Sequence, residues 1–405
     1  MLTVLASTWP LLLGVLLLMV GNGLQASVLG IRGAIEGFST TEISIVTSAY
    51  FAGFLIGSRV VPLLIRRVGH VRVFAALGSV IAAVMVLYPT LPDWMVWTAL
   101  RVLIGFSFSG VYISAESWLN NTATNQTRGR ALSAYMIVQM LGIIGSQALL
   151  NLADPAGFTL FVIPAVLVSL SFVPMLLTVT PTPKFAETRR LSARALFRAS
   201  PLGVVGMLLT GGIFSAMFGM ASVWGTLNGF TVPEISVFIA SLYVGGLLLQ
   251  YPIGWASDRM DRRRLILWLA QVAAVVMAAT VALAPPLAGM IVVALLLGGI
   301  TNPVYALLIA QTNDSLSKED MPAASAGLLA MNGAGAICGP LVTGWMMEAA
   351  GPRGFFLFIG LLYAGLAAYA AWQLRRPAAV RPAGCAEPEP ASGADRAPDR
   401  LDAAE

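Results

Sequence analysis

The chain has 405 residues, of which 58% are hydrophobic and only 11% charged, with a mean hydropathy of +0.82 and a formal net charge of +5. So apolar a composition excludes an ordinary soluble domain. With one histidine, His70, and two distant cysteines, Cys338 and Cys385, it also excludes a disulfide framework or a Cys/His metal cluster.

Apolar runs of around twenty residues, each long enough to cross a bilayer as a helix, recur along the chain, and we read twelve of them. No charge precedes Arg32, so the first run lacks the basic flank of a cleaved signal and is expected to stay as a span. That span, 9–31, carries Asn22 and Gln25, three residues apart and therefore on one face. Their amides can bind a solute or tie the helix to a neighbour. The second span opens at Phe38 with FSTTEIS, where Ser39, Thr40 or Thr41 can cap the helix and Glu42 complements its dipole. It ends near Ile65, before Arg66, Arg67 and Arg72, and the third span, 73–91, is free of charge.

The fourth span, from Trp94, places Arg101 and Glu116 inside an apolar run. A charge at membrane depth costs at least about 2.5 kcal/mol, so both should face a protein interior or a wet cavity. At about 1.5 Å per residue they lie roughly 22 Å apart and cannot pair with each other. Arg101, Gly105, Phe108 and Tyr112 share a face, with Glu116 about 60° away. The alternative for Arg101, close as it is to Trp94, is to snorkel to the headgroups. For Glu116 the alternative is an ion pair with Arg67, Arg72, Arg128 or Arg130.

The fifth span, 131–152, carries Gln139, and the sixth, 158–179, should bend at Pro164 and Pro174. The polar stretch 181–200 reads as a cytoplasmic linker between an N-terminal bundle, 1–180, and a C-terminal bundle, 201–375. Six further spans begin near Pro201, Ile235, Leu265, Leu287, Ala323 and Phe355, and the Pro/Ala/Gly/acid composition of 376–405 predicts a disordered tail.

With the N-terminus inside, only Arg32 and Arg353 fall in outer loops, and the other loop and tail cations fall inside. This bias predicts cytoplasmic termini, a multi-pass protein of the bacterial inner membrane, and lipid rather than nucleic acid as the partner of the basic loops. The two halves also repeat with an offset of 193. Tyr50 falls on Tyr243, Gly105 on Gly298, Tyr112 on Tyr305, and Gln139 and Gly142 on Asn332 and Gly335, and Glu42 meets Glu234 at an offset of 192. Arg101 and Glu116 break the repeat, facing Ala294 and Ile309, so common packing does not require them. Two parallel six-helix repeats about a pseudo-twofold axis suit a carrier that rocks one half on the other.

These features resemble the major facilitator superfamily over residues 9–374. Its loop motif, G-x-x-x-D-R-x-G-R-R, is matched by Gly254, Asp258, Arg259, Arg262 and Arg263, with Asp261 in place of the second glycine. In the first copy Arg67 and Gly69 match, while Arg66 stands where the family has its aspartate. The resemblance implies a cytoplasmic gate of ion pairs built from Arg66, Arg67, Arg130, Asp258, Arg259 and Arg262, with Glu116 supplying the missing acid. Arg101 and Gly105 resemble the family's fourth-helix motif, whose arginine projects into the cavity. The runs ESWLN and RGRALSAYM resemble a branch of poorly characterised bacterial permeases.

The function expected is a secondary-active transporter, all-α with twelve transmembrane helices, moving a small organic solute by alternating access. Asn22, Gln25, Arg101, Tyr112, Gln139, Asn302 and Asn332 would orient the solute, against an apolar wall of Phe, Met and Trp from the seventh span. Arg101 favours a carboxylate or phosphate on it. No enzyme activity, cofactor or metal is expected, and the protein should be a monomer. Proton coupling, an uncoupled facilitator and a multidrug-type exporter of amphipathic compounds all stay open.

Overall fold

The computed structural model describes residues 2–122, 128–176, 192–317 and 320–375, so the end of the fourth loop, most of the 181–200 linker and the tail lie outside it. Among the described residues the protein is helical, without strands. The first six helices are α1 (Leu2–Ile35), α2 (Thr40–Val68), α3 (His70–Thr90), α4 (Trp94–Thr122), α5 (Arg128–Leu149) and α6 (Thr159–Leu176). A short α7 (Ala193–Ala199) precedes α8 (Pro201–Gly219), α9 (Ala221–Leu227), α10 (Val232–Ser257), α11 (Arg262–Leu283), α12 (Leu287–Asn313), α13 (Met321–Ala350) and α14 (Arg353–Arg375). Eleven helices are long and apolar enough to cross a membrane, and the apolar Thr159–Pro174 within α6 is the shorter twelfth.

Local chemistry sets the helix starts. Ser39 and Glu42 form a capping box, with the Ser39 N–H donating to Glu42 Oε2 at 2.7 Å and the Glu42 N–H to Ser39 Oγ at 3.2 Å. Thr231 and Glu234, at the repeat-related start of α10, do the same. Asp261 caps α11 by accepting from the Arg263 and Arg264 N–H groups, which explains an aspartate where the family motif has glycine.

Two features differ from the sequence reading. The seventh span is broken at Met220, between α8 and α9. The linker region holds α7, capped by Ser192 and anchored by Leu196, which is 2% exposed and packs beneath Gly327 of α13.

The offset of 193 reappears as a repeated pairing scheme. α2 packs on α4 as α10 packs on α12; α1 packs on α5 and α6 as α8 packs on α13 and α14; α3 packs on α6 as α11 packs on α14. Glycines let the first of these pairs touch through backbone. A Cβ at Gly105 would stand 1.9 Å from the Tyr50 carbonyl oxygen, and one at Gly298 would stand 1.8 Å from that of Leu242.

The α1–α6 and α8–α14 groups meet through α2 with α13, α5 with α10, and α1 with α9. The α2–α13 seam is antiparallel: Glu348 accepts from the Thr41 N–H at 3.3 Å and the Thr41 hydroxyl at 2.6 Å, Gly344 packs on Ser44, and the Ser48 hydroxyl donates to the Ile337 carbonyl at 2.5 Å. Leu55 against Gly333 continues the same register. The Asn151 amide donates to Ser236 Oγ at 3.2 Å, and Gly30 packs on Ser222. These contacts lie on the side of the α1–α2 and α13–α14 turns, called here the α1–α2 end. At that end Arg32 pairs with Glu36 and donates to the Pro155 and Ala156 carbonyls of the α5–α6 turn.

Candidate functional site

Arg101 is turned into the protein, as the cost of a guanidinium in hydrocarbon demands. Its side chain is 5% exposed, its Nη1 donates to Gln25 Oε1 at 3.2 Å, and its guanidinium carbon lies 5.2 Å from the centroid of the Tyr50 ring. It therefore bridges α4 to α1 and α2 and does not snorkel. The close approach of α2 at Gly105, one turn further along α4, brings Tyr50 over it. Gln25 is fully buried beside it. Arg101 Nε, Gln25 Nε2 and the hydroxyl of Tyr88 on α3 are buried donors with no acceptor. A small enclosed cavity touches Arg101 on the side of Phe38, Thr47, Trp97 and Gly219.

The other cavity residues read from sequence sit on both groups of helices. Asn22 is half-buried near Tyr50, and the Tyr112 hydroxyl donates to Met19 Sδ at 3.2 Å. Gln139 is half-buried near the Tyr135 hydroxyl. Asn302 donates through Nδ2 to the Gly298 carbonyl of its own helix at 3.2 Å, and Asn332 to the Met207 carbonyl of α8 at 3.2 Å. Among the described residues nothing donates to their Oδ1 atoms, which leaves two acceptors available.

Aromatic rings join these positions into two facing walls. On one, Tyr50, Phe54, Phe108 and Tyr112 lie with successive centroids about 6 Å apart. On the other, Tyr243 stacks on Phe218 at 4.4 Å, Phe218 on Phe214 at 5.5 Å, and Phe214 meets Tyr305 edge-on at 5.8 Å. Tyr243 lies within electrostatic reach of both Tyr50 and Tyr112. The walls are not alike, because position 25 holds glutamine on one side and its repeat position 218 holds phenylalanine on the other. Tyr50, Tyr243 and Tyr305 stand out in the sequence only through the repeat matches Tyr50–Tyr243 and Tyr112–Tyr305.

Of the residues expected to form a gate at the opposite end, Arg67, Asp258, Arg259 and Arg262 make no contact across the two groups among the described residues. Arg66 and Arg67 are exposed at the end of α2. Arg262 pairs with Asp314 of α12, inside its own group, and Arg259 stacks over Trp255 at 3.9 Å. Asp258 is exposed at the C-cap of α10. The expected partnership of Glu116 with Arg67 or Arg72 is not formed: the Glu116 side chain is exposed and makes no hydrogen bond or ion pair among the described residues. It lies within electrostatic reach of the Tyr112, Tyr135 and Tyr305 hydroxyls. Arg128 and Arg130 begin α5, and their side chains lie outside the described residues. Arg59, a charge inside the second span that the loop-based reading passes over, is exposed one turn beyond Leu55 on the side of α2 that meets α13. No group of three His, Cys, Asp or Glu side chains that could hold a metal ion occurs among the described residues.

A family model described as Major Facilitator Superfamily matches residues 11–242 and 222–394. The chain is 26% identical over 356 residues to an uncharacterized MFS-type transporter, YcaD, of Salmonella arizonae, covering 86% of this chain and 91% of that protein. The YcaD of Escherichia fergusonii is 24% identical over 354 residues, with the same coverage. Among solved structures, the nucleoside transporter NupG superposes with a TM-score of 0.78 at 15% identity, covering 91% of this chain and 99% of that one. A bacterial homologue of the lysosomal transporter Spinster, solved inward-facing, gives 0.71 at 14% identity, covering 90% and 95%. At these identities the structural likenesses speak for the fold.

Proposed function

We propose that this chain, which belongs to the major facilitator superfamily, is a secondary-active carrier that moves a small organic solute by alternating access. Membership makes it a multi-span membrane transporter and not an enzyme. The observation that carries the finer reading is the one-sided seam. Thr41 to Glu348, Ser48 to Ile337 and Asn151 to Ser236 join the helix groups at the α1–α2 end, while at the other end Arg67 and Glu116 make no hydrogen bond or ion pair to the opposite group among the described residues. A protein built from two pseudo-symmetric bundles and closed at one end is poised to exchange that state for its mirror. In this reading residues 1–180 and 201–375 move as units, both termini are cytoplasmic, and the α1–α2 end faces outward, as the lysine and arginine bias requires.

The solute sits between the aromatic walls, oriented by Asn22, Tyr112, Gln139, Asn302 and Asn332, with Arg101 and Gln25 held just behind Tyr50. A thermal-shift screen of the purified protein against metabolites and drugs would identify it. Uptake into vesicles with and without a pH gradient would then separate coupled from uncoupled transport.

Among the described residues Glu116 is the only carboxylate set back from the ends of its span and outside an ion pair, since Glu42, Glu234 and Glu348 sit in end turns. It is therefore our candidate for the coupling group, because a carrier driven by protons needs a group that changes charge between states. Glu116→Gln is expected to lower gradient-driven accumulation at least tenfold while leaving downhill flux intact. Full accumulation by the substituted protein would remove Glu116 from that role and favour a facilitator.

A further inference from the structure

We propose that Arg101, Gln25 and Tyr88 form a buried site for a small monovalent anion. The three side chains come from α4, α1 and α3 and are 5%, 0% and 0% exposed. Each has a donor atom without an acceptor: Arg101 Nε, Gln25 Nε2 and the Tyr88 hydroxyl. The one acceptor that Gln25 can offer is already taken, since its Oε1 receives Arg101 Nη1 at 3.2 Å. That bond commits the amide to presenting its N–H groups elsewhere. Tyr88 is fixed independently: its ring meets Trp97 edge-on at 5.6 Å, and its carbonyl accepts the Trp97 indole N–H at 3.0 Å. Its hydroxyl lies beside Gln25 and within the field of Arg101 without reaching hydrogen-bond geometry to Gln25.

Charge gives the sign. Among the described residues no carboxylate pairs with Arg101, whose contacts are one neutral amide oxygen and the face of one ring. A buried cation so weakly compensated is costly, and an anion would supply the acceptor that these three neighbouring donors lack. One guanidinium together with neutral donors matches a single negative charge better than a phosphate dianion. One charge and three donors fit a halide or one carboxylate group. The negative charge can come from free chloride or from the cargo.

Binding is read without flux, so the test stands apart from the transport reading. The thermal midpoint of the purified full chain would be followed at constant ionic strength while a bulky sulfonate is replaced by chloride in one arm and by acetate or benzoate in the other. A saturable rise of the midpoint is expected. Chloride acting alone identifies the free ion, and a carboxylate acting alone identifies a cargo group. Tyr88→Phe, which keeps the ring against Trp97, should raise the half-saturating concentration about tenfold, and Arg101→Met should abolish the response. If Arg101→Met does not fold, Gln25→Leu together with Tyr88→Phe decides the matter. Equal wild-type midpoints in all anions, or a response undiminished by these substitutions, would overturn the site.

Discussion

Gly105→Ala and Gly298→Ala are each expected to leave little folded protein after extraction from the membrane. A Cβ at either position would stand 1.9 or 1.8 Å from a carbonyl oxygen of the neighbouring helix, Tyr50 in one bundle and Leu242 in the other. The obstacle is backbone, which cannot swing aside as a side chain does, so α4 would have to leave α2, or α12 leave α10. Overpacking against yielding side chains costs about 1–3 kcal/mol, and against backbone we expect about 3 kcal/mol or more. That is a large share of a typical folding free energy of about 5–15 kcal/mol. Gly145→Ala and Gly365→Ala are the controls: a Cβ there meets nothing within 4 Å, and both positions are helical. Relief of glycine's helix penalty should leave them as stable as wild type or up to about 1 kcal/mol more so. Thermal unfolding of the four proteins in one detergent checks the contrast. Indistinguishable midpoints would mean that the close approaches at Gly105 and Gly298 are not what holds each bundle.

Glu348→Ala should change conformation more than fold. Thr41 lies in the first turn of α2, where N–H groups lack helical acceptors, and the Ser39–Glu42 capping box serves only part of that need. The carboxylate of Glu348 completes the cap from the other bundle, accepting both the N–H and the hydroxyl of Thr41. In the proposed cycle this contact exists only while the α1–α2 end is shut. Hydrogen bonds to a charged group are worth about 1.5–3 kcal/mol. At an exposed site solvent screening reduces that to roughly 1 kcal/mol. Losing it should raise the population open at that end about fivefold to tenfold. A cysteine placed at Ser44, beneath the latch, should then react correspondingly faster with a soluble thiol reagent. Glu348→Gln, which retains an acceptor oxygen, should fall between wild type and alanine. Unchanged reaction rates in both variants would show that the end is held shut by packing alone.

Much of this architecture could be read from residue order because the relevant physics is local. The capping box is written in Phe38–Ser44, the spans in their length and apolarity, and the twofold in the 193-residue offset that carries Gly105 onto Gly298 and Tyr50 onto Tyr243. The inward turn of Arg101 follows from the cost of the alternative. What could not be read depends on partners distant in sequence. Only Gly219 marks the break between α8 and α9 at Met220, and Gly211 and Gly212 in the same span leave the helix intact. Tyr88 joins Arg101 and Gln25 only because α3 packs on α4 and α4 on α1. Glu116 offered an ion pair on proximity along the chain, but among the described residues its carboxylate pairs with neither Arg67 nor Arg72. Arg262 found Asp314 within its own bundle, a closer acid than any across the cleft.

The central claim is that the two bundles exchange which end is closed, and paired distances measured on one sample test it most directly. Spin labels at Asp154 and Asn228 report across the α1–α2 end, and labels at Arg67 and Ser317 report across the other; all four positions are exposed. When a ligand found by the thermal-shift screen is added in a lipid bilayer, the two distance distributions should move in opposite senses, one lengthening as the other shortens. Distributions that stay fixed, or that lengthen together, would contradict an alternating carrier and point to a static bundle or a pore.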